Sequence, residues 1–329
     1  DVIGEGLHSL VAQAYPGTFK IIAVNDNSSD ETAAAAKKVK GPITVLDAAP
    51  LAEGWAGKLA ALHQGVALAE KKFPMAEYFW FTDADIVHAS GVLRALAEAA
   101  MLGERRMISQ MVRLHCHGTV GRLFIPAFIF FFAMLYPFPA VNDPAKRTAG
   151  AAGGSILIDR KTLAEIGGIS ALKRELIDDC ALARRVKEAG HRIWLGLGHN
   201  SGSIRPYTFA ELWSVVARSA FTQLRHSYAL AAGAVLGLGI VFVAPPLLVL
   251  AGVWGANALA LALGLLSWGA MVVLYAPTLA VYKLNPAYGL ALPAVAAFYL
   301  AMTVDSALQH AKGRGGAWKG RIYDFSKKR

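Results

Sequence analysis

The sequence predicts an α/β domain followed by membrane-spanning helices. Residues 1–120 alternate between short apolar runs and helical patterns, whereas residues 229–308 are almost without charge. Of the 329 residues, 55% are hydrophobic, and the mean hydropathy of +0.41 is high for a soluble protein. We therefore expect a globular front half joined to a membrane-embedded back half.

The front half predicts a mostly parallel sheet covered by helices. Strands are expected at 19–26, 43–46 and 78–82, and helices at 1–14, 30–40 and 58–71. A further strand at 155–158, a helix at 181–189 and a strand at 194–197 follow. In such sheets, ligands bind beyond the carboxyl ends of the strands. Because the chain begins with a helical pattern, we expect the first strand of this domain to be missing from the sequence.

Three apolar stretches predict the membrane region. They cover roughly 229–253, 257–282 and 287–308, and a bilayer crossing needs about 20 residues. Pro245 and Pro246 predict an irregularity in the first stretch. An aromatic segment at about 122–141 is interrupted by prolines, so we expect it to lie at the membrane interface. The predicted domains are thus 1–228, 229–308 and a basic tail at 309–329.

Charge and cysteine content indicate a membrane partner on the cytosolic side. The chain has 33 Lys+Arg against 23 Asp+Glu and a formal net charge of +10. Its basic end follows apolar spans, which indicates anionic headgroups rather than nucleic acid. Two cysteines predict no disulfide framework. We expect a multi-pass protein of the inner (cytoplasmic) membrane with its front domain in the cytosol, although three crossings would place the basic tail on the opposite face.

Acidic residues follow two of the predicted strands. Asp83 and Asp85 come directly after the strand at 78–82, and two carboxylates in one turn can hold Mg²⁺ or Mn²⁺ whose other ligands are phosphates and water. The alternative is that Asp85 caps the next helix. Asn25 and Asp26 end the strand at 19–26, where a carboxylate can bind a ribose or a base, whereas Asp30 suits the cap of the next helix.

Three further groups combine charge with helix ends. Lys58 begins a helix after Gly54 and Gly57, a position that favours phosphate. Asp178 and Asp179 are adjacent, and paired carboxylates can supply a general base, although capping of the helix that follows is the alternative. Arg218 and Arg225 precede the first apolar span, where they suit either a diphosphate or ordinary interface anchoring.

Taken in order, these segments resemble family 2 glycosyltransferases of the GT-A fold over about residues 20–228. The matching motifs are Val24-Asn-Asp26-Asn-Ser-Ser-Asp30, Gly54-Trp-Ala-Gly-Lys58, Thr82-Asp83-Ala-Asp85, Gly153-Gly154-Ser155 with Gly167-Gly168, and Asp178-Asp179-Cys-Ala-Leu182. Thr303-Val-Asp305-Ser-Ala307 and the stretch 313–321 are similar to the hopene-associated branch, which is related to ceramide-glucosyltransferase-type enzymes.

The resemblance implies roles for individual residues. Asp26 would contact the nucleoside, Lys58 and Arg225 the donor diphosphate, and Asp83 the ribose or phosphate. Asp85 would hold Mg²⁺ or Mn²⁺, and Asp179 would be the general base, supported by Asn25, Asp178, Gly154 and Arg218.

Two departures from the family pattern bear on function. The usual Glu-Asp pair is Asp178-Asp179 here, which keeps the base. Thr222 and His226 replace the first residue and the tryptophan of the (Q/R)xxRW element, and the missing tryptophan favours transfer of a single sugar.

The resemblance therefore predicts an inverting, membrane-bound transfer of one sugar from a nucleotide sugar, UDP being typical, to a lipid acceptor that is hopanoid-related in this branch. The alternatives are a GT-A-like nucleotidyltransferase and a non-catalytic membrane scaffold or lipid-binding protein.

Overall fold

The computed structural model describes residues 2–315, 317–318 and 321–322. It divides into two compact units: Asp1–Leu114 with Tyr136–Arg205, and His115–Leu135 with Pro206–Arg329. This division differs from the predicted boundary at 228, because residues 206–228 and most of the aromatic segment group with the apolar helices. Nearly half of the predicted basic tail, including Lys319 and residues 323–329, lies outside the described residues.

The secondary structure follows the predicted alternation. From residue 2 to residue 135 the elements are α1 (Val2–Val11), β1 (Ile21–Asn25), α2 (Thr32–Lys38), β2 (Ile43–Asp47), α3 (Gly57–Lys72), β3 (Tyr78–Thr82), β4 (Ile86–His88), α4 (Val92–Leu102), β5 (Met107–Arg113) and α5 (Gly118–Leu135). They continue with α6 (Phe138–Asn142), β6 (Ser155–Asp159), α7 (Arg160–Glu165), a 3₁₀ turn (Ile169–Leu172), α8 (Asp178–Glu188) and β7 (Ile193–Ser203).

The strands of the first unit form two sheets. β1 and β2 pair in parallel, and five strands pair in the order β3-β6-β5-β7-β4. β6 runs antiparallel to β3 and β5, while β5 and β7 are parallel, so β3, β5 and β7 share one direction. The predicted fold class is confirmed, with β6 and β4 as the reversed strands. The carboxyl ends of β3, β5 and β7 therefore meet at one edge, where ligands of such sheets bind.

Apolar helix faces cover these sheets. Val92 and Leu96 of α4 pack with Ile108 of β5 and Leu157 of β6. Leu7 of α1 packs with Ala36 of α2 and with Val39, which directly follows this helix. Burial of such side chains contributes roughly 1.5–3 kcal/mol each, so the two clusters hold the helices at fixed distances from the strands.

Helix α1 lies directly behind the turn between β3 and β4. A Cβ on Gly6 would be 2.6 Å from the backbone oxygen of Ala84, so only glycine permits this approach. The Gln13 amide donates to the carbonyl oxygens of Ser9 and Ala89, and its own oxygen accepts from the Leu93 N–H. These contacts fix both the turn and the start of α4.

The second unit consists mainly of helices, with one short antiparallel strand pair near its end, β8 (Ala317–Trp318) and β9 (Arg321–Ile322). The helices are α5, α9 (Phe209–Gln223), α10 (Tyr228–Leu238), α11 (Ala244–Trp254), α12 (Ala258–Val281) and α13 (Leu292–Ala311). A π-helical turn, Gly239–Val243, joins α10 to α11, and a 3₁₀ turn, Pro286–Ala291, leads into α13. The irregularity predicted at Pro245 and Pro246 is confirmed, because the π turn ends just before these two residues, which have no N–H to donate.

Among the residues that the structure describes, four helical segments are long and apolar enough to cross a membrane: Gly118–Leu135, Tyr228–Trp254, Ala258–Val281 and Pro286–Ala311. The last three correspond to the three predicted spans. Pro126 lies inside α5 and does not interrupt it, so the aromatic segment is one continuous helix up to Leu135. The Tyr299 hydroxyl of α13 donates to the Phe124 carbonyl oxygen of α5 at 2.9 Å.

Replacing Gly6 with Ala tests the contact between α1 and the acidic turn. Alanine in place of a helical glycine ordinarily stabilises by about 1 kcal/mol. Here the methyl group meets a backbone oxygen, so we expect a net loss of about 1–3 kcal/mol, as in overpacked cores, measured as a lower Tm in detergent. Gly91→Ala is the control, because a Cβ there meets nothing within 4 Å. A Tm that is unchanged or raised in Gly6→Ala would contradict the described packing.

Candidate functional site

A pocket opens at the carboxyl-end edge of the large sheet, within the first unit. Its polar wall consists of Lys58, Thr82, Asp83, Asp178 and Asp179, together with Gly153. Apolar side chains complete the lining: Leu59, Leu62, Phe81, Ile156, Ile169, Leu172 and Leu182. Four of the residues predicted from sequence are thus brought together, although 121 residues separate Lys58 from Asp179.

Lys58 is the positive charge of the pocket. Its Nζ lies 2.9 Å from Asp83 Oδ1 and 3.9 Å from Asp178 Oδ2. Burial by itself would lower the pKa of Lys58, but the charges of Asp178, Asp83 and Asp179 outweigh it and hold the pKa well above its usual range. The lysine side chain is still 47% exposed, so its ammonium is accessible to an incoming anion.

Asp179 is the carboxylate with the most altered acidity. Burial and the neighbouring charge of Asp178 raise the pKa of Asp179 to about 6, against the lowering effect of Lys58. Its carboxylate accepts hydrogen bonds from the backbone N–H groups of Cys180, at 2.7 Å, and Gly153. A fixed carboxylate with a raised pKa is the arrangement that a general base requires.

Two glycines allow the wall to close around these charges. A Cβ on Gly153 would lie 3.1 Å from the Lys58 ammonium and 3.3 Å from Asp179 Oδ2. A Cβ on Gly154 would lie 2.8 Å from Val112 of β5. A side chain at Gly153 would crowd the charged groups of the pocket, and one at Gly154 would clash with β5. The absence of side chains is therefore the physical reason for glycine at both positions.

The turn Asp83-Ala84-Asp85 carries its two carboxylates in different directions. Asp83 faces Lys58 in the pocket, whereas Asp85 accepts a short hydrogen bond from the Ser203 hydroxyl at the end of β7. The alternative that Asp85 caps a helix is wrong, because β4 follows it and α4 begins only at Val92.

His88 and Ser203 were not predicted as parts of this site. His88 is 3% exposed, and burial lowers its pKa to about 4, so its ring is neutral at physiological pH. Ser201 and Ser203 alternate along β7. Two serines at alternate positions of a strand are common, so the sequence alone does not identify them as parts of a site until the neighbouring strand is known.

The residues after β1 lie apart from the pocket lining. The Asn25 amide donates to Asp47 Oδ1 at 2.9 Å, and its oxygen accepts from the Ser28 N–H. Asp30 accepts from the Thr32 N–H, as a residue at the start of α2 would. Asp26 lies between these two turns and is not among the described residues that line the pocket.

The predicted arginines belong to the second unit. Arg218 lies on α9, and Arg225 follows the end of this helix with a φ of 54°. His226 has a similar φ of 55°, so two consecutive residues adopt the left-handed conformation where the chain turns from α9 to α10.

The carboxylates fit a metal ion that takes most of its ligands from a substrate. Within the described part of the chain, no group of three or more His, Cys, Asp or Glu side chains is arranged to hold a metal. Mg²⁺ and Mn²⁺ sites in which phosphates and water complete the shell need only one or two carboxylates. Asp85 can supply one, whereas Asp83 is paired with Lys58.

The chain is similar to a known protein family in its sequence and to solved structures in its fold. The model of glycosyl transferase family 21 matches residues 2–328. No curated protein sequence matches the chain. Among solved structures, it resembles mannosyltransferase PcManGT from Pyrobaculum calidifontis, solved with GDP-Man and Mn²⁺ (TM-score 0.57, 18% identity, 95% of this chain and 84% of that chain).

Two further structural matches have lower TM-scores. TarS from S. aureus has a TM-score of 0.43 and 16% identity, covering 67% of this chain and 38% of that one. Glucosyl-3-phosphoglycerate synthase from Mycobacterium tuberculosis has a TM-score of 0.41 and 16% identity, covering 68% and 74%.

The ion pairs of Lys58 lead to a prediction about stability. In Lys58→Met, three carboxylates face one another without a cation, so we expect a loss of about 2 °C in Tm at pH 8. The loss should shrink at pH 5, because Asp179 becomes protonated below a pKa of about 6. Lys37→Met is the control, since its exposed pair with Asp47 contributes little at either pH. Equal losses at both pH values would show that charge is not the cause.

Proposed function

Because the chain belongs to glycosyl transferase family 21, we propose that it transfers a single sugar from a nucleotide-sugar donor, typically a UDP-sugar, to a lipid acceptor at the membrane. Membership of this family makes the chain a glycosyltransferase. The sequence motifs resemble those of family 2, but the family model that matches the chain is that of family 21. The observation that carries the proposal is the pocket in which Asp179, with its raised pKa, faces Lys58 and Asp83.

Lys58 and Asp83 would bind the donor. An ammonium at the start of α3 attracts phosphate through its own charge and through the helix dipole. Asp83 would accept from a ribose hydroxyl or approach the phosphate through a cation. Asp26, supported by Asn25, would contact the nucleoside, and Arg225 with Arg218 would bind the diphosphate. On this proposal the catalytic part extends to residue 228, past the first compact unit.

Asp85 would hold Mg²⁺ or Mn²⁺. A bound divalent ion stabilises negative charge that develops on a leaving diphosphate. The likeness to a mannosyltransferase solved with Mn²⁺ and GDP-Man supports this choice of ion. Ser203 donates to the Asp85 carboxylate and would keep it oriented while its other oxygen stays available.

Asp179 would be the general base of an inverting displacement. The acceptor hydroxyl oxygen forms a bond to the anomeric carbon, the bond from that carbon to the diphosphate oxygen breaks, and the hydroxyl proton moves to Asp179. The hydrogen bonds from Gly153 and Cys180 orient the carboxylate. One displacement inverts the anomeric configuration, so a product with retained configuration would contradict the mechanism.

The acceptor would come from the bilayer. Three helices after residue 228 can cross it, and the protein would lie in the cytoplasmic membrane as a multi-pass protein with its pocket on the cytosolic face. Helix α5 would lie at the interface, because β5 before it and β6 after it pair residue by residue. A single crossing by α5 would place these two strands on opposite sides. A hopanoid or a related polycyclic lipid is the acceptor that the sequence motifs favour.

A nucleotidyltransferase and a non-catalytic scaffold remain as competing hypotheses. The first would release pyrophosphate and use a soluble sugar phosphate. A non-catalytic scaffold would need neither a proton-accepting carboxylate at Asp179 nor a lysine beside it at position 58. The apolar helices oppose the first hypothesis, and the assembled charges of the pocket oppose the second.

A transfer assay tests the proposal directly. Full-length protein in detergent is offered Mn²⁺ or Mg²⁺, a panel of UDP- and GDP-sugars and a bacterial lipid extract, and nucleoside diphosphate release is followed. We expect release that requires lipid and metal and that falls by about 10²–10⁴-fold in Asp179→Asn. Glu98→Gln, at an exposed carboxylate of α4 that pairs with Arg94 outside the pocket, should retain activity. Pyrophosphate release would support the nucleotidyltransferase, and failure to bind any nucleotide would support the scaffold.

The pH dependence of the reaction provides a separate check. A base must be deprotonated, so kcat/KM should fall about tenfold per pH unit below the Asp179 pKa of about 6 and level off above it. Asp178→Asn removes a neighbouring negative charge and should move the inflection to lower pH. A profile that is flat from pH 5 to 8 would exclude Asp179 as the base.

A further inference from the structure

His88 is a buried imidazole with both ring nitrogens in hydrogen bonds. Nε2 lies 2.9 Å from the Thr82 hydroxyl, and Nδ1 lies 2.8 Å from the Ser201 hydroxyl. The His88 backbone N–H donates to Ser9 of α1. The Trp80 ring covers the imidazole, with 4.6 Å between ring centroids, and thereby limits access of water to these bonds.

The hydrogen-bond partners of His88 determine which atoms donate and which accept along this chain of hydrogen bonds. Thr82 has one hydroxyl proton. It donates this proton to the Gly154 carbonyl oxygen at 3.0 Å, and the Asp83 carbonyl oxygen is a more distant acceptor at 3.4 Å. Its oxygen is therefore the acceptor for His88, so Nε2 carries the ring proton and Nδ1 accepts from Ser201. The bonds run in one direction, from Ser201 through His88 and Thr82 to Gly154, an order in which each bond can strengthen the next.

One member of this hydrogen-bond chain, Thr82, lines the pocket, and the two ends of the chain are close in sequence to residues of the site. Thr82 immediately precedes Asp83, which pairs with Lys58. Gly154 follows Gly153, whose N–H binds Asp179. Ser201 lies two residues before Ser203, the partner of Asp85. We propose that His88 is a positioning residue that fixes the acidic turn 83–85 against the Gly153-Gly154 loop, so that donor and metal find their ligands already spaced. This inference rests on the proposed function.

Substitutions can separate positioning from simple stabilisation. An asparagine at 88 can still accept from Ser201 but does not reach Thr82, whereas a glutamine can supply the donor to Thr82. Thr82→Val keeps the branched shape of β3 and removes the hydroxyl. Thr162→Val is the stability control, because it also removes a buried hydrogen bond, to Asp159. Asp159 lies at the other end of β6, opposite Tyr78 rather than Thr82.

The experiment measures binding and turnover on the full-length protein in detergent. Mn²⁺ binding is followed by electron paramagnetic resonance, alone and with UDP or GDP, beside Tm and the donor KM and kcat. In His88→Asn and Thr82→Val we expect about tenfold weaker Mn²⁺–nucleotide binding and a raised donor KM, as for other residues that orient ligands. His88→Gln should recover most of the loss, and Thr162→Val should lower Tm without changing binding.

The outcomes distinguish this inference from the proposed function. If the wild type binds Mn²⁺ and nucleotide but transfers no sugar, the proposed function fails, and the His88 inference is decided by the binding data alone. Binding losses that merely follow the loss in Tm, equal in Thr162→Val and His88→Asn, would overturn the positioning role. A wild type that binds neither Mn²⁺ nor nucleotide would overturn both.

Discussion

Three carboxylates around a single ammonium are the constraint on which the first unit depends. Like charges repel, so Asp83, Asp178 and Asp179 stay close only where separate elements hold them. Asp83 directly follows β3, the other two begin α8, and Lys58 is the second residue of α3. Each element is anchored by apolar packing or by the sheet. The free energy of folding therefore offsets the repulsion among these carboxylates before any ligand binds. The partial exposure of Lys58 then lets phosphate compete for its charge.

Local sequence predicted the elements well because each has a local cause. β3 has the predicted bounds, Tyr78–Thr82. Asp30 accepts from the Thr32 N–H next to the start of α2, although the N-cap position itself is Glu31. The order of motifs identified Lys58, Asp83, Asp178 and Asp179 as one group, and the structure brings them into one pocket. Glycosyl transfer and the α/β fold are confirmed, whereas the individual roles of these residues, the acceptor and the membrane orientation stay predictions.

What the sequence did not predict depends on distant contacts. The reversed direction of β6 and the short strand β4 have no local signal, because an apolar run looks the same in either direction. His88 was assigned no role, since its meaning comes from Thr82 six residues before it and Ser201 on another strand. Pro126 suggested a break, yet α5 continues through it. Apolar helices around it, including α12 and α13, supply packing that a local rule does not take into account.

The position of β6 also constrains the order in which the chain can fold. β6 lies between β3 and β5 in the sheet but follows α5 in sequence. While the ribosome is still making α5, therefore, β3 and β5 have no strand to join them, and the Gly153-Gly154 side of the pocket does not exist. A long apolar helix thus emerges before the domain that flanks it can close. The five-stranded sheet, and with it the Gly153-Gly154 side of the pocket, can therefore be completed only after the whole of α5 has been synthesised.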